Sequence, residues 1–269
     1  MKRIVALTIV VVLAAVGCGS DDDEPGSSGT TSTTGTSAPA DQLEGDIQVA
    51  AAASLTEAFE ELAQMFEDEH PGVTVTPEFG PSSGLSDGIL EGQPADVFAS
   101  ADEANMQKLV DGGAVEESAV QVFVNNRPEI AVPAGNPGEV EGLDDFARDE
   151  LLVGLCAKDV PCGKFARTVL DEAGIEPAID TNEVDVKALL AKIEGDDLDV
   201  GMVYHTDVVA AGDAVEGIEI PEEENVIAVY PIAPLSDSEN TDVAQAFVDF
   251  IAGPEALTVL EEYGFLEPA

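Results

Sequence analysis

Apolar residues follow two alternating periods along most of the chain, starting near residue 47. Residues 47–53 (IQVAAAA) are a run of β-branched and small side chains, which predicts a buried strand. The apolar positions that follow, from Leu55 to Phe66, recur every three or four residues and predict an amphipathic helix. Ser54 and Glu57 have the spacing of a capping box at the start of this helix.

The alternation of strand and helix continues to the end of the chain. The further predicted strands are residues 73–79, 95–99, 129–132, 151–155, 200–204 and 226–231. The further predicted helices are a short one with Leu85, Ile89 and Leu90 facing inward, and residues 102–110, 143–148, 165–173, 186–193, 207–211, 243–251 and 254–263. This order predicts a three-layer α/β architecture with mainly parallel sheets.

The first residues indicate export. Lys2 and Arg3 precede an apolar run at residues 4–16, which is too short to span a bilayer and has the length of a signal-peptide core. Cys18 follows small residues, as in a bacterial lipobox, so we predict a signal peptide at residues 1–17 and a lipid anchor on Cys18. The alternative is an ordinary secretion signal with a chance cysteine. Residues 18–45 are rich in Ser, Thr, Gly, Asp and Pro and predict a flexible tether. The folded part is therefore expected on the outer face of the cell membrane.

The charge of the chain excludes several classes of partner. Asp and Glu number 55 against 10 Lys and Arg, which gives a formal net charge of −45. Nucleic acids and anionic membrane surfaces need a basic surface, and this composition does not supply one. Hydrophobic residues make up 45% of the chain, so it can bury a core despite its self-repulsion.

Candidate binding groups lie where predicted strands end and helices begin. These positions are Ser54, Ser82 with Ser83, the loop at residues 156–163, and Asp185 with Val186. Each helix start offers unpaired backbone N–H groups and the positive end of a helix dipole. If the four starts meet in one cleft, they form an oxyanion site without a charged side chain. Ordinary helix capping explains each serine singly, and this alternative stays open for the residues taken one by one.

Six segments in chain order resemble the periplasmic molybdate-binding proteins of ABC importers. They are AAASLTEAF at 51–59, FGPSSGL at 79–85, PADVFASAD at 94–102, VPCGKFA at 160–166, DVKAL at 185–189 and GMVYHTD at 201–207. The YGF segment at 263–265 is similar to the end of those proteins. Together the segments extend over most of the predicted folded part.

The resemblance implies a two-lobed α/β fold of the type II periplasmic binding proteins. Each lobe would be a mainly parallel sheet flanked by helices, with the ligand in the cleft between the lobes. One lobe would comprise residues 46–126 and 230–269, and the other residues 127–229. The implied function is capture of molybdate or tungstate and delivery to an ABC transporter permease, by a monomer that is not an enzyme and needs no cofactor.

The resemblance also assigns the oxyanion ligands. They are Ser54, Ser82, Cys162, Val186 and Tyr204, with Ser83 as an additional candidate, and no side chain ligates the metal atom directly. Cys162 replaces the usual alanine of the family. Since its backbone N–H is the expected donor, the side chain can differ without loss of the hydrogen bond.

The two remaining cysteines, Cys156 and Cys162, flank one of the predicted ligand loops. In an oxidising compartment we expect a disulfide between them, which would stiffen this loop. A metal site is disfavoured, because the chain has only two histidines and no second cysteine pair.

Three other functions are compatible with parts of the sequence. Residues 80–84 match G-x-S-x-G, and with His205 downstream this allows a serine hydrolase with Ser82 as nucleophile, although no glycine-rich oxyanion loop accompanies it. A purely structural surface lipoprotein is a second alternative. A sulfate-type binding protein is a third, since sulfate differs from molybdate mainly in size. A phosphate receptor needs an acceptor carboxylate for the proton of the ligand, and none of the assigned positions is acidic.

Overall fold

The computed structural model describes residues 43–268. The predicted signal peptide, the lipid anchor on Cys18 and nearly all of the predicted tether lie outside the described residues. The described part contains two five-stranded sheets with helices packed on them, which confirms the predicted α/β class.

Sheet 1 combines the first strands of the folded part with one late strand. Its members are β1 (Glu44–Ala52), β2 (Gly72–Gly80), β3 (Val97–Ala99), β4 (Gln121–Asn126) and β10 (Ala228–Pro234), in the order β2-β1-β3-β10-β4. Strands β1, β2 and β3 pair in parallel, whereas β10 is antiparallel to both of its neighbours, β3 and β4. Four of the five strands therefore run in one direction.

Sheet 2 repeats this arrangement with consecutive strands. Its members are β5 (Pro128–Pro133), β6 (Val153–Cys156), β7 (Ile179–Glu183), β8 (Val200–Tyr204) and β9 (Val215–Ile218), in the order β7-β6-β8-β5-β9. Here β5 is antiparallel to β8 and β9, and the parallel pairs are β6 with β7 and β6 with β8. In each sheet the single reversed strand is the one that the chain enters after passing from the other sheet.

Within residues 43–268, eight α-helices connect and cover the strands. They are α1 (Thr56–Glu69), α2 (Ser82–Leu90), α3 (Glu103–Asp111), α4 (Pro161–Glu172), α5 (Val186–Glu194), α6 (His205–Ala211), α7 (Thr241–Ile251) and α8 (Pro254–Glu262). Within the described residues no single helix is long and apolar enough to cross a membrane, and α7 and α8 reach that length only as a pair bent by 58°. Both helices bury apolar residues against the core.

The chain passes between the two sheets twice. The first passage is Arg127, between β4 and β5, and the second lies in residues 219–227, between β9 and β10. We call residues 43–126 and 228–268 lobe 1 and residues 127–227 lobe 2. The largest apolar cluster is continuous across the two lobes, since it joins Phe59 and Phe247 of lobe 1 to Leu189 and Tyr204 of lobe 2.

Several local predictions are wrong. Ser54 is not the N-cap of a capping box, because α1 is preceded by a 3-10 turn at Ala53–Leu55 and begins at Thr56 without a side-chain cap. Leu90 is 41% exposed rather than inward. Helix α4 begins at Pro161, four residues before the predicted start, because proline suits the first turn of a helix. Strands β4, β7 and β9 were not predicted, and all three lie at sheet edges.

Candidate functional site

A small cavity lies between the lobes, where the C-terminal ends of the parallel strands of both sheets meet. It is lined by Ala52, Ala53, Ser54, Gly80, Pro81, Ser82, Ala101, Val160, Pro161, Cys162, Asp185, Val186 and Tyr204. All five residues assigned to the oxyanion are in this lining. The cavity volume is about 20 Å³, which suits a small inorganic group and is far below the size of pockets for organic ligands.

The wall from lobe 1 presents two buried serine hydroxyls. Ser54 lies in the 3-10 turn after β1, and its Oγ is 2.8 Å from the hydroxyl of Tyr230. Ser82 is the first residue of α2, and its Oγ accepts a hydrogen bond from the Ala101 N–H at 3.0 Å. Each serine therefore already has one partner in the protein and keeps further hydrogen-bonding capacity for the cavity.

The wall from lobe 2 presents backbone N–H groups of two helix starts. Cys162 is the second residue of α4 and Val186 is the first residue of α5. N–H groups in the first turn of a helix have no acceptor within the helix, and the helix dipole adds partial positive charge there. Both groups are thus available to an anion in the cavity.

Tyr204 completes this wall at the end of β8. Its side chain is buried, and its hydroxyl has no hydrogen-bond partner among residues 43–268. The Tyr204 and Tyr230 rings meet edge to face with centroids 6.1 Å apart. Burial raises the pKa of Tyr204 well above its usual value, and the nearby Tyr230 and Asp207 act in the same direction. The phenol therefore stays protonated, and within the described residues no acceptor, the nearby Tyr230 hydroxyl included, makes a hydrogen bond with it.

No lysine or arginine lines the cavity, and it has one acidic member, Asp185. The Asp185 carboxylate caps α5, because its Oδ1 accepts from the Ala188 N–H at 2.8 Å. Among the described residues there is also no group of three or more His, Cys, Asp or Glu that could hold a metal ion. The lining suits an anion bound through neutral donors rather than through ion pairs.

A disulfide joins Cys156, the last residue of β6, to Cys162 in the first turn of α4, with 5.8 Å between their Cα atoms. Gly163 is needed in the same turn, because a Cβ there would lie only 1.9 Å from the Ala157 carbonyl oxygen. The glycine thus allows the loop to pack against itself. The disulfide and this close approach together fix the position of the Cys162 N–H.

Two ion pairs link the lobes beside the cavity. Lys164 of α4 reaches Asp102 Oδ2 at 3.1 Å, and Lys187 of α5 reaches Glu57 Oε2 at 2.8 Å. In both pairs the lysine belongs to lobe 2 and the carboxylate to lobe 1. The lobes are therefore held together on either side of the site by opposite charges.

Lys187 also lies 3.2 Å from the fully buried carboxylate of Asp207 in its own lobe. Burial raises the pKa of Asp207 to about 6, although Lys187 acts against this shift. Burial lowers the pKa of Lys187, but the carboxylates of Asp207 and Glu57 outweigh burial and raise it overall. Lys187 is therefore a charged link between the two lobes.

Two residues singled out in the sequence lie outside the cavity lining. Ser83 is half-buried beside Ser82 but points elsewhere, since successive helix residues are turned by about 100°. His205 contacts the buried Glu129 through Nδ1 and has no hydrogen bond to Ser82. The hydrolase alternative required the side chains of Ser82 and His205 to form a hydrogen bond, and they do not.

Sequence reasoning missed the residues behind the lobe 1 wall. Tyr230 in β10 and Asn126 at the end of β4 are fully buried; Tyr230 contacts Ser54, and Asn126 contacts Tyr230. Tyr230 stands in an apolar run within a predicted strand, so a polar group that interrupts a core strand was the available signal there. Asn126 lies between Asn125 and Arg127 in a strand that was not predicted, and it offered no such signal.

The described part of the chain is similar to known binding proteins. Residues 47–266 match the family described as bacterial extracellular solute-binding protein. The chain is 33% identical over 264 residues to the molybdate-binding protein ModA of Mycobacterium tuberculosis. The aligned region covers 97% of this chain and 96% of the relative. 

Two solved structures share the fold at lower sequence identity. The periplasmic molybdate-binding protein of Azotobacter vinelandii has a TM-score of 0.73 at 20% identity, covering 83% of this chain and 100% of that chain. The sulfate-binding protein SubI of Mycobacterium tuberculosis also has a TM-score of 0.73 at 20% identity, covering 82% of this chain and 86% of that chain. These two likenesses concern the fold alone, so they do not discriminate between the two anions.

Proposed function

This chain belongs to the family of bacterial extracellular solute-binding proteins, and we propose that it captures molybdate, or tungstate, and delivers it to an ABC transporter permease. The proposed ligands of the oxyanion are the Ser54 and Ser82 hydroxyls, the Cys162 and Val186 N–H groups, and the Tyr204 hydroxyl. No catalytic step is part of this proposal.

The observation that carries the proposal is the unpartnered hydroxyl of Tyr204 beside two helix starts. A buried hydroxyl without an acceptor is unfavourable by roughly 1–3 kcal/mol, so an arrangement that keeps one needs an occupant that accepts its hydrogen bond. A tetrahedral oxyanion with four acceptor oxygens can satisfy this group together with the free N–H groups. Neutral donors in a site shielded from water stabilise such an anion without a nearby cation.

The available groups favour a fully deprotonated anion. Monohydrogen phosphate carries a proton that must be donated to an acceptor, and none of the five proposed ligand groups is a carboxylate. The one acidic residue of the lining, Asp185, serves as the cap of α5 through Oδ1. Sulfate has the same charge and shape as molybdate but is smaller. The 33% identity to a relative named for molybdate supports molybdate over sulfate.

A calorimetric and thermal-shift series with molybdate, tungstate, sulfate and phosphate tests the proposal on the purified protein. We expect molybdate and tungstate to raise the melting temperature, because a ligand at 100 times its Kd adds about 2.7 kcal/mol to the free energy of unfolding. Tighter binding of sulfate than of molybdate would replace the proposal with the sulfate-type function. No binding of any of the four anions would overturn it.

We also propose that Cys18 carries a lipid anchor and that residues 18–45 tether the binding lobes to the outer face of the cell membrane. The sequence pattern at residues 1–18 supports this arrangement. Mass spectrometry of the protein from membranes tests it, since a diacylated Cys18 at the N-terminus is the expected species. Release of unmodified protein into the medium would contradict it.

A further inference from the structure

A line of four buried polar side chains runs from lobe 2 to the cavity. Asn126 Nδ2 donates to Thr206 Oγ1 at 2.9 Å and, in a longer hydrogen bond, to Tyr230 Oη at 3.4 Å. Tyr230 Oη is in turn 2.8 Å from Ser54 Oγ, which lines the cavity. All four side chains are buried, so each of their hydrogen bonds must be made within the protein or with a ligand.

The orientation of the Asn126 amide is fixed by its own neighbour. The Arg127 N–H donates to Asn126 Oδ1 at 2.9 Å, and a backbone N–H can only donate. The amide atom facing Arg127 is therefore the oxygen. It follows that the NH₂ group faces Thr206 and Tyr230 and supplies hydrogens to both.

The direction of the next bond follows from counting donors and acceptors. Tyr230 Oη accepts from Asn126, and its single proton has Ser54 Oγ as the only acceptor among its hydrogen-bond partners in the described residues. If Ser54 donated to Tyr230 instead, the buried Tyr230 proton would have to turn from its partner at 2.8 Å toward the Tyr204 hydroxyl, which makes no hydrogen bond within the described residues. The bond therefore runs from Tyr230 to Ser54, which leaves the Ser54 proton for the cavity.

We propose that Asn126 and Tyr230 are positioning residues that set Ser54 as a hydrogen-bond donor toward the bound anion. Ser82 is oriented as a donor in a similar way, because its Oγ accepts a hydrogen bond from the Ala101 N–H at 3.0 Å. Both hydroxyls of the lobe 1 wall are thus directed into the cavity, one by the backbone and one by side chains. This inference rests on the proposed function, since it concerns binding of the same oxyanion.

The positioning also depends on how the lobes meet. Asn126 is the last residue of β4 before the chain passes into lobe 2, and it pairs with Ala228, the first residue of β10 after the chain returns. Its second hydrogen goes to Thr206 in α6 of lobe 2. The Asn126 amide can make both bonds only when the two lobes have the arrangement seen here, so donation by Ser54 is coupled to that arrangement.

Tyr230→Phe tests the proposal, with Tyr263→Phe as the matched control. Tyr263 lies in the same lobe, and its hydroxyl bonds to Glu61 at the surface away from the cavity. We expect Tyr230→Phe to weaken molybdate binding about tenfold and Tyr263→Phe to leave it unchanged within about twofold. Removal of the tyrosine proton also frees Ser54 to accept, so affinity for monohydrogen phosphate relative to molybdate should rise.

A double-mutant cycle separates positioning from general damage to the fold. In a Ser54→Ala background, Tyr230→Phe should no longer change molybdate affinity, because the hydroxyl through which Tyr230 acts is gone. Equal losses with and without Ser54, or wild-type affinity in Tyr230→Phe, would overturn the proposal while leaving the proposed function intact. If Tyr230→Phe does not fold, Asn126→Leu replaces it with the same expected directions. If the wild-type protein binds none of the four anions, the proposed function fails and this inference fails with it.

Discussion

Both walls of the cavity supply neutral hydrogen-bond donors, but they differ in whether these groups have hydrogen-bond partners within the protein. On the lobe 1 wall the Ser54 and Ser82 oxygens already accept hydrogen bonds from protein groups, so both hydroxyls are held in position before any ligand arrives. On the lobe 2 wall the Tyr204 hydroxyl has no hydrogen-bond partner in the described part of the chain, and the N–H groups of Cys162 and Val186 lie in the first turns of their helices. The donors of lobe 1 are thus oriented by protein hydrogen bonds beforehand, whereas the Tyr204 hydroxyl of lobe 2 has no such bond to orient it within the described residues.

The largest expected effects come from removing one hydroxyl on each wall. Ser82→Ala and Tyr204→Phe should each weaken molybdate binding by about 1.5–3 kcal/mol, roughly 10- to 150-fold, because each removes a hydrogen bond to a charged ligand. Isothermal calorimetry measures both losses. Unchanged affinity in either variant would remove that residue from the site.

The stability of the same two variants without ligand sharpens the comparison. Ser82→Ala leaves the buried Ala101 N–H without its acceptor and should lower the free energy of unfolding by about 1–3 kcal/mol. Tyr204→Phe removes a hydroxyl that has no partner and should leave stability unchanged or raise it slightly. Urea unfolding in anion-free buffer checks both, and an equal loss in the two variants would contradict the difference between the walls.

The next effect concerns the disulfide of the lobe 2 wall. Replacing Cys156 and Cys162 together by alanine should lower the free energy of unfolding by about 2 kcal/mol, from the entropy of closing a short loop. Molybdate affinity should also fall, because the Cys162 N–H is then held less firmly. The wild-type protein treated with reductant is the control. Thiol labelling of the unreduced wild type at both positions would instead show that the bond does not form.

Asp207 gives the lobe 2 wall a dependence on pH. Burial raises its pKa from 3.8 to about 6, so the folded state holds this proton more tightly than the unfolded state. The contribution of this group is therefore favourable at low pH and is lost as pH rises from about 4 to about 6, by an amount on the order of 3 kcal/mol. Asp207→Asn lacks this titration, so the melting temperature of the variant minus that of the wild type should increase as pH rises across this range. The exposed Asp213→Asn, with the same charge change, should show no such gain.

The smallest expected effect is on the ion pairs between the walls. Lys164→Met breaks the pair with Asp102 across the cleft and should weaken molybdate binding a few-fold, as partly exposed pairs contribute about 0.2–1 kcal/mol. Lys192→Met is the matched control, because Lys192 has similar exposure, 39% against 41%, and pairs with Glu183 within lobe 2. Equal effects in the two variants would show that bulk charge, rather than contact between the lobes, is responsible. High salt should reduce the difference.

The sequence predicted the interior strands and most helices because these have strong apolar patterns. The three missed strands, β4, β7 and β9, all lie at sheet edges, and each has a run of at most three apolar residues, which gives a weak strand signal. In β7 the residues IDTNE are mostly polar and only partly buried. Such a strand forms because β6 offers it backbone partners, which local sequence does not reveal.

The identity of the site residues could be predicted from the sequence, but their contacts with distant residues could not. The resemblance to molybdate-binding proteins assigned Ser54, Ser82, Cys162, Val186 and Tyr204, and the structure brings them to one cavity, although their role in binding stays a prediction. Local reasoning gave Ser54 the wrong partner, because a capping serine and a serine that contacts a distant tyrosine look alike in sequence. Tyr230 is 176 residues from Ser54, and only the fold brings them together.

The placement of β10 has a consequence for the order in which the chain acquires its structure. Sheet 2 is built from one continuous stretch, β5 to β9, whereas β10 lies between β3 and β4 of sheet 1 and follows all of sheet 2 in the chain. A chain that emerges from a membrane channel N-terminus first can therefore complete lobe 2 while sheet 1 still has a gap between β3 and β4. Closing that gap pairs Asn126 with Ala228 and brings Tyr230 to Ser54. Lobe 1, with its donors held in place, is thus the last part of the molecule to be completed.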